Sequence, residues 1–246
     1  MKISRRQTLV FHYILDNLIP PALRDAGWFM RPMFFFLFGS KASIFAEWKD
    51  RAPGLSDAGF AQAYRDVEDV LIERTTSLNE ACLDRIRRSV VGTSLLEVGC
   101  GNGYLSNILS EHSKVTAVDI IISPQTPISY PQVKFQEANM EKLSFPDHSF
   151  DTVVCTHTLE HVKDLSAAMR ELRRVTRKRL ILVTPKQRAY KYTFDLHLNF
   201  FPYPHSLVHA VGKSIGTSSC QVAGGDLFYL ESYLETKDGN PDRTTE

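Results

Sequence analysis

Apolar residues recur at helical intervals over roughly the first ninety positions and in short dense runs thereafter, a change of period that predicts two regions of different architecture. In the first, Phe60, Tyr64, Val67 and Leu71 fall on one helical face, and Pro20-Pro21 and Ala52-Pro53-Gly54 break the pattern. Ser77 with Glu80 forms a capping-box spacing ahead of Leu78, Cys82 and Ile86. From Ser94 the runs at 94–98, 114–118, 133–137, 150–155 and 179–184 alternate with helical segments, as βα units of a parallel sheet do. Further runs at 196–201 and 220–234, with a helical stretch near 207–215, complete an expected seven strands. The chain thus divides into a helical N-terminal region over 1–91, an α/β domain over 92–236 and a loose polar tail over 237–246.

Composition narrows the function classes. The 246 residues carry 29 Lys+Arg against 28 Asp+Glu, and a net charge of +1 gives no basic field for a phosphate backbone, so nucleic acid is not an expected partner. Cys82, Cys100, Cys155 and Cys220 form no CxxC pair, which argues against a disulfide scaffold or a zinc site and for a reducing, cytoplasmic setting. Lys2, Arg5 and Arg6 precede an apolar stretch over 9–15, but His12 interrupts it and Asp16 follows, so no signal peptide is read. The run PMFFFLFG over 32–39 is far shorter than the ~20 residues of a spanning helix. Together with the basic first residues, the stretch from Trp28 to Phe38 permits peripheral docking on the inner face of an anionic membrane, and a helix buried against the catalytic domain accounts for the same residues.

The chemistry concentrates in Leu95-Leu96-Glu97-Val98-Gly99-Cys100-Gly101-Asn102-Gly103-Tyr104-Leu105-Ser106, a buried strand running into a glycine-rich turn and a helix. Its E-x-G-x-G-x-G spacing differs from the G-x-G-x-x-G of dinucleotide sites, which disfavours a nicotinamide oxidoreductase. The carboxylate of Glu97 is a poor neighbour for a pyrophosphate and a good one for a cation. Asp119 ends the second strand, where an acidic side chain accepts hydrogen bonds from both ribose hydroxyls. Asn139-Met140-Glu141 follows the third strand and Ser149 to Val154 opens the fourth, at the spacing expected if the carboxyl ends of all the strands face one crevice.

With these residues the chain resembles the class I S-adenosylmethionine-dependent methyltransferases, in the broad group that includes the quinone-pathway enzymes. Residues 95–106 match the family's first motif, and EKLSFPDHSFD over 141–151 is similar to its E-x-L-P-F-x-x-x-S-F-D segment, with Ser144 in place of proline. Leu159-Glu160-His161-Val162 matches the L-E-H-V after the fourth strand. The resemblance implies a Rossmann-like, seven-stranded, mostly parallel sheet with helices on both faces. It also implies S-adenosyl-L-methionine as cofactor and S-adenosyl-L-homocysteine as product. By the same resemblance, Gly99, Gly101, Asn102 and Gly103 line the methionine and ribose portions, Glu97 lies near the amino group, and Asp119 holds the ribose. Asn139, where relatives often have Asp, contacts the adenine amino group, the Met140 backbone shapes the adenine pocket, and Thr156 and His157 lie beside the sulfonium.

Methyl transfer to oxygen needs alignment and, as a rule, a base. His197, within D-x-H-x-N-F-F, resembles the histidine that approaches the acceptor in relatives and is the first candidate, with His157 the second. His157-Thr158-Leu159-Glu160-His161 also fits the H-x-x-E-H zinc-peptidase pattern, but it follows a strand inside a better-matched framework, and no metal site is expected. The segment LIPPALRDAGWFM over 18–30, with 45–53, resembles an extension of bacterial surface-polysaccharide methyltransferases. That likeness implies a sugar hydroxyl of a lipopolysaccharide O-chain or similar glycan as acceptor, and a partner enzyme of a polysaccharide pathway. The competing readings are a small hydrophobic acceptor such as a quinone precursor, favoured by an apolar pocket, and a non-catalytic cofactor-binding module.

Overall fold

A computed structural model describes residues 14, 18–67, 76–192 and 194–233. The expected positions of Leu71, of the first basic residues and of the tail over 237–246 lie outside them. The α/β part is a seven-stranded sheet in the order β3-β2-β1-β4-β5-β7-β6. Its strands are β1 (Ser94–Val98), β2 (Lys114–Asp119), β3 (Lys134–Glu137), β4 (Phe150–Thr156), β5 (Thr176–Pro185), β6 (Thr217–Ala223) and β7 (Asp226–Ser232). β1 to β5 run parallel, and β7 enters antiparallel between β5 and β6. The alternating pattern implies its parallel βα part, and the family resemblance implies the whole Rossmann-like, seven-stranded sheet.

Strand residues alternate between two cores, because successive side chains leave a strand on opposite faces. Leu95, Val154, Ile181 and Val183 pack under helices α5 (Glu80–Ser89) and α6 (Tyr104–Leu109). Leu96, Val153, Leu180 and Leu182 pack under α8 (Leu165–Val175) and α9 (Pro204–Val211). A short helix, α7 (Gln125–Ser129), follows β2.

Three expectations are corrected. Residues 196–201 form no strand; they touch the sheet through one bridge between Lys186 and Phe201, and while Phe201 enters the core under the sheet, Leu196 and Leu198 pack in a different one. The run 220–234 is not one strand but most of a hairpin, turned at Gly224-Gly225, whose φ values of +58° and +100° suit a two-residue loop. Helix α5 is capped by Asn79, whose side chain accepts from the Cys82 N–H at 2.9 Å, and not by the Ser77 and Glu80 pair. Asn79 also donates to the Asp226 carboxylate at 2.8 Å, tying the helix start to the hairpin.

The N-terminal region comprises α1 (Pro21–Arg24), α2 (Gly27–Phe38), α3 (Ala42–Arg51) and α4 (Asp57–Val67). Met30, Phe34, Phe45, Trp48 and Phe60 form a third core with Tyr192, Phe194 and Leu196, and Ile120, next to Asp119, packs against it. This helical cap therefore closes over the carboxyl end of the sheet, where the strand ends converge. Among the described residues no helix is long and apolar enough to cross a membrane.

Candidate active site

The glycine turn after β1 is closed by the Gly99 and Cys100 N–H groups, which donate to the Val118 carbonyl at 2.8 and 3.1 Å. Gly99 has φ +79°, and a Cβ there would sit 1.9 Å from the Thr158 hydroxyl oxygen, so the segment after β4 locks onto this turn only because residue 99 lacks a side chain. Gly101 has φ +51°, and a Cβ there would meet nothing within 4 Å. The space above it is the open floor of the crevice. Its N–H donates to Asp119 Oδ2 at 2.8 Å, and Ile120 N–H donates to Oδ1 at 2.7 Å. Burial raises the Asp119 carboxyl above its ordinary range, against the pull of those N–H groups and of His161.

The remaining cofactor candidates divide between the crevice and its support. Asn102 Oδ1 accepts from Tyr104 N–H at 3.1 Å, and Gly103, at φ +81°, caps α6. Asn139 Oδ1 accepts from Glu141 N–H at 2.9 Å; Met140 buries its side chain in the core under α8, leaving only its backbone for a ligand. Thr156 ends β4, and its carbonyl accepts from the Thr158 hydroxyl. Glu97 lies beneath the turn, buried, with Oε2 accepting from the Ser106 hydroxyl of α6. Burial pushes its carboxyl up to about 8, so near neutrality it is mainly uncharged and braces the turn. An open glycine floor beside a buried acid at the end of β2 fits the ribose and methionine portions of S-adenosylmethionine.

Opposite this floor the fold assembles a second set of groups. Leu198 and Asn199 N–H donate to the Glu160 carbonyl at 2.7 and 2.9 Å, and the Asn199 amide donates to the carbonyls of Leu159 and Val162, zipping the loop around His197 onto the segment after β4. Leu196 is held at φ +56° while its carbonyl accepts from Trp48 Nε1 at 2.7 Å. Such a left-handed leucine costs roughly 1 kcal/mol and persists because the cap holds it. The result is that His197 meets His161, ring centroids 4.7 Å apart. One nitrogen from each histidine and a carboxylate oxygen of Glu160 lie within 4.8 Å of one another, a donor set that could hold a divalent ion, and one that no spacing in the sequence announced.

His197 Nδ1 donates to Gln187 Oε1 at 2.6 Å, which leaves Nε2 as the basic nitrogen. Gln187 is in turn fixed by the Tyr190 hydroxyl. His161 Nδ1 shares a hydrogen bond of 2.9 Å with the Tyr64 hydroxyl from α4. Tyr64 is held well above its ordinary pKa by burial and by the charges of Glu160 and Asp119, so it remains a phenol. Burial alone would raise the Glu160 carboxyl, but His157, His161 and His197 hold it below the ordinary value. Tyr64, Glu160 and His161 were not among the expected catalytic residues: Tyr64 reads as one member of an apolar helical stripe. A Glu-His pair directly after a strand end was the available signal for the other two.

His157, the second candidate base, is placed differently. Its ring lies between Glu160, 3.7 Å away, and Asp226, 3.3 Å away. Burial would lower its pKa, yet the two carboxylates raise it from 6.5 to about 9, so it is protonated at neutral pH and unsuited to accept a proton there. A histidine whose folded pKa exceeds its unfolded one contributes stability that is fully present below the unfolded value and lost as pH rises through the folded one. The shift corresponds to about 3 kcal/mol. Urea unfolding is therefore expected to show the chain losing stability of that order between about pH 6.5 and 9, with His157→Gln flattening the decline. Equal pH slopes in both proteins would refute the ion-pair assignment.

A cavity lined by Asp147, His148, Arg170, Arg173 and Arg174 lies toward the opposite ends of the strands. Arg173 is committed to Glu231 and Arg174 to Glu171 and Asp147, so this cavity does not compete for the chemistry.

Comparison with known proteins agrees with this geometry. Residues 96–184 match the family model described as a methyltransferase domain. A probable S-adenosylmethionine-dependent methyltransferase of Mycobacterium tuberculosis is 29% identical over 141 residues, covering 55% of this chain and 50% of that protein. The 2-methyl-6-phytyl-1,4-hydroquinone methyltransferase of Synechocystis is 39% identical over 99 residues, covering 37% of this chain and 31% of that protein. The chain thus spans half or less of the length of these relatives. Among solved structures, that of the (4+2)-cyclase SpnF superposes with a TM-score of 0.50 at 18% identity, covering 68% of this chain and 76% of that one. That likeness shows the fold alone, and the cyclase name is a reminder that a fold does not specify a reaction.

Proposed function

We propose that this chain, whose residues 96–184 match a family model described as a methyltransferase domain, uses S-adenosylmethionine to transfer a methyl group to a hydroxyl of a glycan such as a surface-polysaccharide chain. The observation that carries the acceptor class is the buried polar cluster of Tyr64, Glu160, His161, Gln187 and His197 opposite the glycine floor. A polar pocket of this kind binds and activates a hydroxyl, whereas a quinone precursor would be served by an apolar one. The cofactor supplies an electrophilic methyl group on a sulfonium. With that cofactor held by Asp119 and the glycine turn, His197 Nε2 would take the proton of the acceptor hydroxyl as its oxygen receives the methyl group. Glu160 stabilises the imidazolium that forms, and Tyr64 orients His161 beside it. The aromatic side chains of the cap exclude water, and proximity supplies much of the rate.

Hydroquinone methylation is the second reading, favoured by the named substrate of the Synechocystis relative and by Tyr190 and Phe200 beside the cluster. Transfer of labelled methyl from S-adenosylmethionine to glycan, nucleotide-sugar and hydroquinone acceptors separates the two. Label in the glycan supports the proposal; label only in the hydroquinone overturns it. Saturable cofactor binding with no transfer to any of these acceptors would favour a non-catalytic module.

A further inference from the structure

Helix α2 (Gly27–Phe38) has the sequence GWFMRPMFFFLF and is apolar on every side, whereas a helix lying on a domain surface ordinarily turns a polar face to water. One face is accounted for: Met30 and Phe34 are fully buried against Tyr192 and Phe194. The opposite face carries Trp28, Arg31, Pro32, Phe35 and Phe36, which the 3.6-residue period places together. Trp28 is 73%, Phe35 69% and Phe36 84% exposed. Leu18 and Leu23, just upstream, are also exposed, at 65% and 39%. Aromatic side chains of this size are seldom left in water without a surface to enter.

Charge identifies the surface. From residue 26 to residue 46 the chain has two charged residues, Arg31 and Lys41, both basic, and no Asp or Glu. Arg31 stands on the exposed face between Trp28 and Phe35. An interface with another protein has no general need for this one-sided charge, but an anionic bilayer does: rings enter the headgroup boundary while guanidinium and ammonium groups stay with lipid phosphates. We propose that α2 docks this chain peripherally on an anionic membrane through Trp28, Phe35 and Phe36, with Arg31 on the headgroups. Because the buried face of the same helix packs on Tyr192 and Phe194, docking sets the acceptor-side loop one helix away from the bilayer, where a lipid-linked acceptor is within reach. That last consequence rests on the proposed glycan methylation; the docking itself does not.

The test uses the full chain and vesicles of phosphatidylcholine with and without phosphatidylglycerol. Trp28 is one of two tryptophans, and the other, Trp48, is buried, so quenching by brominated phospholipid reports on Trp28. The protein is expected to float with phosphatidylglycerol vesicles and to be quenched by brominated lipid. Phe35→Ser with Phe36→Ser should weaken binding by tenfold or more, and Arg31→Glu should abolish the preference for anionic vesicles. Calorimetric titration with S-adenosylmethionine, expected to be unchanged in these variants, verifies their fold and keeps failure of docking distinct from failure of the methyltransferase reading. Absence of both flotation and quenching in the wild type would overturn the proposal. So would a concentration-dependent dimer, seen by sedimentation and lost in the Phe35→Ser, Phe36→Ser variant, which would assign the face to a second copy.

Discussion

Asp119→Ala is expected to weaken S-adenosylmethionine binding by at least about a hundredfold, measured by calorimetry. A carboxylate that accepts from two ribose hydroxyls makes two charge-assisted hydrogen bonds, each worth about 1.5–3 kcal/mol, and losing about 3 kcal/mol raises Kd more than a hundredfold. The site adds a second loss, since Asp119 also accepts the Gly101 and Ile120 N–H groups. Its removal takes the side-chain acceptor from the Gly101 and Ile120 N–H groups as well as from the ribose. Asp119→Asn separates the two: it keeps an acceptor oxygen for the turn but not the charge, and should fall between wild type and Asp119→Ala. Unfolding midpoints near wild type would show that the loss is one of binding. Wild-type affinity in Asp119→Ala would remove this crevice as the cofactor site.

The second large effect is expected at the histidine pair. His197→Ala should lower kcat by about 10²- to 10⁴-fold, the usual range for a general base, with cofactor affinity nearly unchanged, because His197 bonds to Gln187 and belongs to the loop over 187–201, away from the glycine turn. Turnover in the wild type should rise with pH through the ionisation of the base and then level off. Tyr64→Phe, which removes the hydroxyl bonded to His161, tests a positioning role. It should displace that pH profile and reduce kcat modestly, without the flat profile that loss of the base itself would give. If His161→Ala loses as much activity as His197→Ala while binding cofactor, the proton passes through both rings. Unchanged turnover in His197→Ala would remove His197 as the base.

The histidine pair also marks where the sequence stops being legible. β1, β2, β4 and β5 are apolar runs that read as strands because parallel strands covered on both faces need no polar alternation. β6 escaped detection as a separate strand because it is an edge strand with mostly exposed side chains, and its boundary with β7 is two glycines rather than a break in apolarity. Residues 196–201 were read as a strand for the opposite reason: they are apolar, but Leu196 serves the cap and Phe201 the main core, and the backbone between them follows the segment after β4. Within the H-x-x-E-H string, Glu160 and His161 lie beside His197, and His161 bonds to Tyr64, while His157 is held between Glu160 and Asp226.

By itself the sequence determined the sheet of βα units and placed the cofactor candidates on it. Glu97, the glycines, Asp119, Asn139 and Thr156 each lie in or next to a strand end, and a parallel sheet brings all its carboxyl ends to one edge whatever the connecting segments do. The tertiary structure alone decided the polar cluster proposed to meet the acceptor. Tyr64, Glu160, His161, Gln187 and His197 come from a cap helix and two loops, and they meet because Trp48 and the Glu160 carbonyl pin the backbone on either side of His197. Contacts between residues as far apart as 64 and 161 follow from packing, which no local period or spacing encodes.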